Sequence, residues 1–196
     1  MRQEIFITKQ ELSTLLKARL DQLPDYRESL ELVKANSEGR IWLIGGIVSR
    51  ILISEIYHAG QPEHDYDFLV EKLRPNLKIP DGWSVENKKH GNPTFLRGNL
   101  EVDIFPITTS DHIKQNRLSP TIDNFFKGAP FTIQALAYDI ASSQLIGEVG
   151  IDALKKREYK VNNLEEARRM AESKGITVND RIKKKAKSLG LTPILQ

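Results

Sequence analysis

The chain of 196 residues contains no cysteine. That absence excludes a disulfide, a thiolate zinc site and a cysteine nucleophile. The four histidines, His58, His64, His90 and His112, show no metal-ligand spacing. No apolar run approaches the ~20 residues that a membrane-spanning helix requires. Met1-Arg2-Gln3-Glu4 leads into mixed residues instead of the apolar stretch of a signal peptide. Internal repeats and low-complexity segments are also missing. These absences predict a soluble cytoplasmic protein with neither membrane nor disulfide partners. With 39% hydrophobic residues the chain can bury an ordinary core, and its length suits one domain with a small appendage.

Charge is present but uneven. The net charge is +3. From Ile151 onward twelve Lys or Arg stand against six Asp or Glu, a net of +6, which leaves −3 on the first 150 residues. An acidic body with a basic tail suits a polyanionic partner. The same charges also suit a solvated helical surface.

The chain is organised around residues 41–67. Ile41 to Ile44 is a short apolar run that predicts a buried strand, ended by Gly45 and Gly46. Ile47 to Tyr57 has helical apolar spacing. A strand that stops at two glycines before a helix leaves backbone N–H groups at the helix start, where anions, phosphate above all, are favoured. Asp65 and Asp67 follow, running into a strand over Phe68 to Val70. Residues two apart on a strand share a face, so the two carboxylates project together with Cα atoms ~6.6 Å apart. Adjacent like charges are costly unless neutralised, and Mg2+ is a fitting hard cation. In Leu100 to Phe105, Val102 and Ile104 alternate with Glu101 and Asp103, giving one apolar and one acidic face. If this strand lies beside the first, Asp65, Asp67 and Asp103 converge as in a two-metal phosphoryl-transfer site. Taken singly, each piece has a plainer reading: a tight turn, an exposed Asp pair, a solvated strand face.

The remaining segments predict a scaffold. Residues 8–35 read as two helices, with Thr8 and Glu11 as a capping box, a stripe of Leu12, Leu15, Leu16 and Leu20, and a second start at Pro24-Asp25 that buries Leu30 and Val33. Leu73 to Asp81 reads as a loop and Trp83 to Asn87 as a strand. Thr94 to Arg97, Gly98-Asn99 and Leu100 to Pro106 form a hairpin that presents Asp103. Thr109 to Asn116 predicts a short helix capped by Ser110 or Asp111. Leu118 to Gly128 reads as an irregular, mobile loop with Phe125 and Phe126 tucked inward. Leu164 to Ser173 and Asp180 to Leu189 are the last helices.

In this order the motifs resemble the polymerase-beta-type nucleotidyltransferases, and more closely the catalytic head of bacterial tRNA CCA-adding enzymes and poly(A) polymerases. Gly45, Gly46, Val48, Asp65, Asp67 and Asp103 match the family's Gly-Gly-x-Val-Arg-Asp, Asp-x-Asp and third Asp. Ser49 and Arg50 stand where the family has Arg-Asp, and the stretch before Asp65 is longer than usual. Phe131, Thr132, Ala135, Leu136 and Ala137 match Arg-Arg-Asp-Phe-Thr-x-Asn-Ala-Leu-Ala, but Gln134 replaces Asn and Gly128-Ala129-Pro130 replaces Arg-Arg-Asp. Glu165-Glu166-Ala167-Arg168-Arg169 resembles the Glu-Asp-x-x-Arg element that reads the incoming base. The resemblance covers about residues 40–172.

The resemblance implies an α/β (α+β) fold: a small mixed sheet of nucleotidyltransferase type, flanking helices and a short helical C-terminal extension. It implies an N-terminal helical segment over 1–38, a head over 39–161 and a basic neck-like extension over 162–196. The implied activity is Mg2+-dependent transfer of NMP from an NTP to a hydroxyl, with ATP or CTP as donor and RNA, especially a tRNA 3′ end, as favoured acceptor. Asp65, Asp67 and Asp103 are the implied metal ligands and catalytic groups. Gly45, Gly46, Ser49, Arg50, Glu166 and Arg169 are the implied nucleotide contacts. Nucleotidylation of a protein or small molecule, or an inactive nucleotide- or RNA-binding head, are the alternatives.

Overall fold

The computed structural model describes residues 6–59, 65–88 and 91–196. His64, His90 and residues 1–4 lie outside them. The chain opens with α1 (Lys9–Leu20), started by the expected capping box: Thr8 Oγ1 accepts from the Glu11 N–H at 3.2 Å, and the Glu11 carboxylate accepts from the Thr8 N–H at 2.7 Å. Leu12, Leu16 and Leu20 are fully buried along one side. The second helix, α2 (Tyr26–Asn36), buries Leu32 and Val33 and leads directly into β1 (Ser37–Ile44). That strand begins four residues earlier than its apolar run, because Ser37 and Glu38 pair with Leu73 and Lys72.

From β1 the chain turns into α3 (Gly45–Tyr57), which starts at the first glycine, not at Ile47. The next strands are β2 (Tyr66–Leu73), β3 (Ser84–Asn87), β4 (Pro93–Arg97) and β5 (Leu100–Pro106). The β4–β5 hairpin turns at Gly98-Asn99 as expected, with Arg97 opposite Leu100. Beyond it lie α4 (Asp111–Gln115), α5 (Ile122–Lys127), β6 (Ala137–Asp139), β7 (Gln144–Ile146) and α6 (Glu148–Lys155). Helix α5 corrects the expectation of an irregular loop over 118–128. Thr121 caps it by accepting from the Asn124 N–H, and Phe125 and Phe126 pack half-buried against the sheet. The C-terminal part holds β8 (Glu158–Tyr159), α7 (Leu164–Glu172), α8 (Val178–Leu189) and β9 (Thr192–Pro193).

Seven strands form one sheet in the order β3-β4-β5-β2-β1-β6-β7. Only β2 and β5 run parallel within it; the other neighbours are antiparallel, so the sheet is mixed as expected. Strand alternation sorts its two faces. Leu43, Tyr66, Phe68, Val70, Val102 and Ile104 point into the main core with α1, α2, α3 and residues of α6, α7 and α8. Each fully buried large apolar side chain there contributes about 1.5–3 kcal/mol. Trp42, Ile44 and Leu69 lie on the other face, in a smaller cluster completed by Ile107, Ile113 and Ala137. Asp67 and Asp103 alternate with core residues and so fall on this second, more thinly covered face.

Candidate active site

The parallel pairing of β2 and β5 puts Asp67 directly beside Asp103. Neighbouring strands lie about 4.8 Å apart, so two like charges share one patch of sheet. Asp67 is half-buried, and Asp103 is 9% exposed. Burial, then the charges of Asp103 and Asp65, push the Asp67 carboxyl up to about 7, with Lys88 pulling the other way. Asp65 stands just before β2 with an exposed side chain.

Asp103 is held by its neighbours. Thr94, opposite it on β4, donates from Oγ1 to Oδ1. Lys88 donates from Nζ to Oδ2 at 3.2 Å and also pairs with Glu101. Burial works against the charge on Lys88, but the bonds to Glu101 and Asp103 outweigh it and hold the ammonium above its ordinary value. Asp67 and Asp103 thus stand side by side, and the charge of Asp65 also acts on the Asp67 carboxyl. Among the described residues no three His, Cys, Asp or Glu side chains stand together as a ready metal cage. Asp103 is drawn toward Thr94 and Lys88, and Asp65 lies one residue before β2.

Gly45 closes the other side of the pair. It adopts φ +80, and an added Cβ would lie 2.1 Å from Asp67 Oδ2. Only a bare backbone lets the start of α3 approach that carboxylate so closely. Ile44, the residue that precedes α3, makes no side-chain capping bond to it. Gly46 accepts from Ser49 Oγ at 3.2 Å, which turns the Ser49 hydroxyl back into the helix at 7% exposure. Arg50, half-buried, lies one residue further along the same helix. We expect Gly45→Ala to lower the melting temperature by about 5 °C or more, through strain and the clash with Asp67. A variant that melts like the wild type would show that the close approach is dispensable.

A cavity of about 500 Å3 adjoins this group. Gly45, Asp67, Asn92, Gln134 and the run Thr109, Ser110 and Asp111 bring polar atoms to it, and Ile44, Leu69, Phe105, Phe125, Pro130 and Met170 make it largely apolar. Gly128 and Ala129 also line it; an added Cβ on Gly128 would lie 2.5 Å from His112 Cβ, so the missing side chain permits tight packing of α5 on α4. Met170 reaches the cavity from α7; Glu166 and Arg169 share that helix but are not among the lining residues. Arg169 bonds to Glu165 and Glu166 and reaches across to Gln115 of α4. Lys88, Thr94 and Met170 were not singled out by the sequence. Thr94 alone had a signal, as the residue that the β4–β5 hairpin register sets opposite Asp103.

No protein-family model and no curated protein matches this chain. Solved structures do. The CCA-adding enzyme of Bacillus stearothermophilus in complex with CTP aligns at a TM-score of 0.52 and 17% identity, over 76% of this chain and 35% of that one. The Thermotoga maritima CCA-adding enzyme complexed with tRNA aligns at 0.53 and 16%, over 89% and 46%. A CCA-adding enzyme in complex with ATP aligns at 0.50 and 21%, over 78% and 36%. The chain spans between about a third and a half of the length of these enzymes. At these identities the likeness is one of fold, which in this chain is a seven-stranded mixed sheet with flanking helices.

Proposed function

We propose that the protein is a Mg2+-dependent nucleotidyltransferase that moves NMP from an NTP to a hydroxyl acceptor with release of pyrophosphate, RNA, and a tRNA 3′ end in particular, being favoured. The observation that carries this reading is the β2–β5 register, which sets Asp67 beside Asp103 on a face bounded by Gly45 and an apolar cavity. The carboxyl of Asp67, raised to about 7 by burial and by its acidic neighbours, marks a place short of positive charge. The donors are all hard oxygens, which fits Mg2+. Asp65, Asp67 and Asp103 would hold it, and when bound it would offset the phosphate charge and polarise the reacting phosphoryl group.

The chain's own groups divide the remaining work. The N–H groups at Gly45 and Gly46 receive the triphosphate at the start of α3, with Ser49 and Arg50 beside them. Asp103 is the candidate acceptor for the proton of the attacking hydroxyl. Phe105, Phe125 and Met170 exclude water and offer an apolar slot to the base. Glu166 and Arg169 are the candidates for reading its edge. CTP, ATP and tRNA accompany the structurally similar enzymes in their solved complexes, which supports an NTP and RNA as partners here.

Lys183, Lys184 and Lys187 are exposed on α8, with Lys185 half-buried beside them. As phosphate contacts on a single strand, each would contribute about 0.7 to the slope of log affinity against log salt. Reversing all four to Glu should flatten that slope and leave NTP binding near its original value, as read by fluorescence anisotropy with a labelled single strand. RNA affinity that is the same at low and high salt would reduce the tail to a solvated helix.

A second reading, a nucleotide- or RNA-binding head without transfer, draws support from Gly128-Ala129-Pro130, which bring no charge to the cavity. Incubation with each labelled NTP, Mg2+ and either total tRNA or cell lysate separates the readings. Labelled RNA supports the proposal, labelled protein moves the acceptor, and no labelled product with retained NTP binding favours the inactive head.

A further inference from the structure

We infer that Lys88 is a built-in counter-cation of this site: its ammonium holds Glu101 and Asp103 in the metal-free protein, and a divalent ion must displace it to bind. The inference rests on the metal-dependent reading above and concerns what the ion meets on entry.

Lys88 follows β3, at the edge of the sheet, yet its side chain crosses β4 to reach β5. Its main chain is fixed from both sides. The Lys88 N–H donates to the Asn92 carbonyl at 3.0 Å, and the Lys88 carbonyl accepts from the Gly91 N–H at 3.0 Å. The backbone therefore aims the stem at the acidic face instead of leaving it to wander in solvent. Nζ then bonds to Asp103 Oδ2 at 3.2 Å and to Glu101, which lies two residues away on the same face of β5. Thr94 takes the other oxygen of Asp103. Both carboxylate oxygens are thereby engaged by protein groups.

A hard divalent ion seeks those same oxygens. An ammonium and a metal ion on one carboxylate repel one another, so each weakens the hold of the other. The Lys88 side chain is 44% exposed, and Glu101 is 34% exposed. Solvent thus reaches the ion pair, and exchange needs no opening of the core. The arrangement offsets part of the negative charge of the acidic strand face before loading, at the expense of metal affinity.

The test is binding of Mn2+ to the full chain, read from the free-ion signal in electron paramagnetic resonance. Lys88→Gln should bind Mn2+ about tenfold more tightly than the wild type, the worth of one charge-assisted hydrogen bond. Lys88→Arg, which keeps the charge, should bind like the wild type. In EDTA the Gln variant should melt below the wild type, and saturating Mn2+ should close the gap. Equal or weaker Mn2+ affinity in Lys88→Gln overturns the inference, as does a melting gap that persists in Mn2+, since that would mark a purely structural lysine. Asp67→Asn separates the two levels. If it abolishes Mn2+ binding while Lys88→Gln leaves affinity unchanged, only the counter-cation role fails. Absence of saturable binding in the wild type overturns the metal site and this inference with it.

Discussion

Replacing Asp67 by Asn is expected to lower Mg2+-dependent transfer about a thousandfold or more while raising the stability of the metal-free protein. The two effects share one cause. Asp67 is pressed between burial and the charges of Asp103 and Asp65, and its carboxyl is raised from 3.8 to about 7. A carboxyl raised in the folded state binds its proton more tightly there than in the unfolded chain. Its contribution to stability is therefore full below pH 3.8 and is lost as pH rises toward about 7. At pH 8 the metal-free wild type carries the whole cost of an ionised Asp67. Asn keeps the shape and removes the charge. In EDTA at pH 8 the variant should melt about 5 °C above the wild type, and the difference should shrink at pH 4. In Mg2+ the order should narrow or invert, since the ion stabilises only the protein that binds it. Transfer near the wild-type rate in Asp67→Asn would remove Asp67 from the metal site. A metal-free variant that melts below the wild type at pH 8 would show that the charge at 67 is already compensated.

The parts of this site that could be read from the sequence are those set by short periods. The two-residue repeat of β5 separated Val102 and Ile104 from Glu101 and Asp103 without reference to any partner strand. Gly98-Asn99 fixed the hairpin, and Thr8 with Glu11 fixed the start of α1, because turn and cap chemistry act within a few residues. The placement of β5 beside β2 was conditional, since nothing local states which strands pair. Contacts between segments far apart in sequence were missed. Lys88 looked like one lysine among many, because its bonds to Asp103 and Glu101 depend on an edge strand leaning over its neighbour. The same holds for Arg169 and Gln115, which are 54 residues apart in sequence and meet through their side chains. Helix α5 was overlooked although Thr121 and Asp123 are good starting residues, since its six residues are too few to show a period.

Glu166 and Arg169 are expected to choose the base of the incoming NTP. Their spacing of three sets both on one side of α7, and Arg169 Nη1 lies 3.3 Å from Glu166 Oε1. Met170, the next residue, lines the cavity that also holds Asp67, which brings α7 next to the candidate site although the pair itself is not part of the lining. Glu166 is partly shielded, its side chain 16% exposed, and Arg169 is tethered by Glu165 and by Gln115. A carboxylate accepts from an exocyclic amine, and a guanidinium donates to a ring nitrogen. Adenine and cytosine present that amine beside that nitrogen on their Watson–Crick edges; uracil and guanine do not. ATP and CTP should therefore be used in preference to UTP and GTP. A site whose own polar groups are left unpaired by the wrong partner rejects it strongly, so the preference should reach about a hundredfold or more. Glu166 is one methylene longer than the Asp of the resembling motif, which gives its carboxylate a longer reach. The measurement is transfer from all four NTPs by the wild type and by the double variant Glu166→Ala, Arg169→Ala. Discrimination that collapses while residual transfer persists supports the role. An unchanged order of NTP use in the double variant would assign base choice to the walls of the cavity, where Asn92, Thr109, Ser110, Asp111 and Gln134 are the polar side chains besides Asp67.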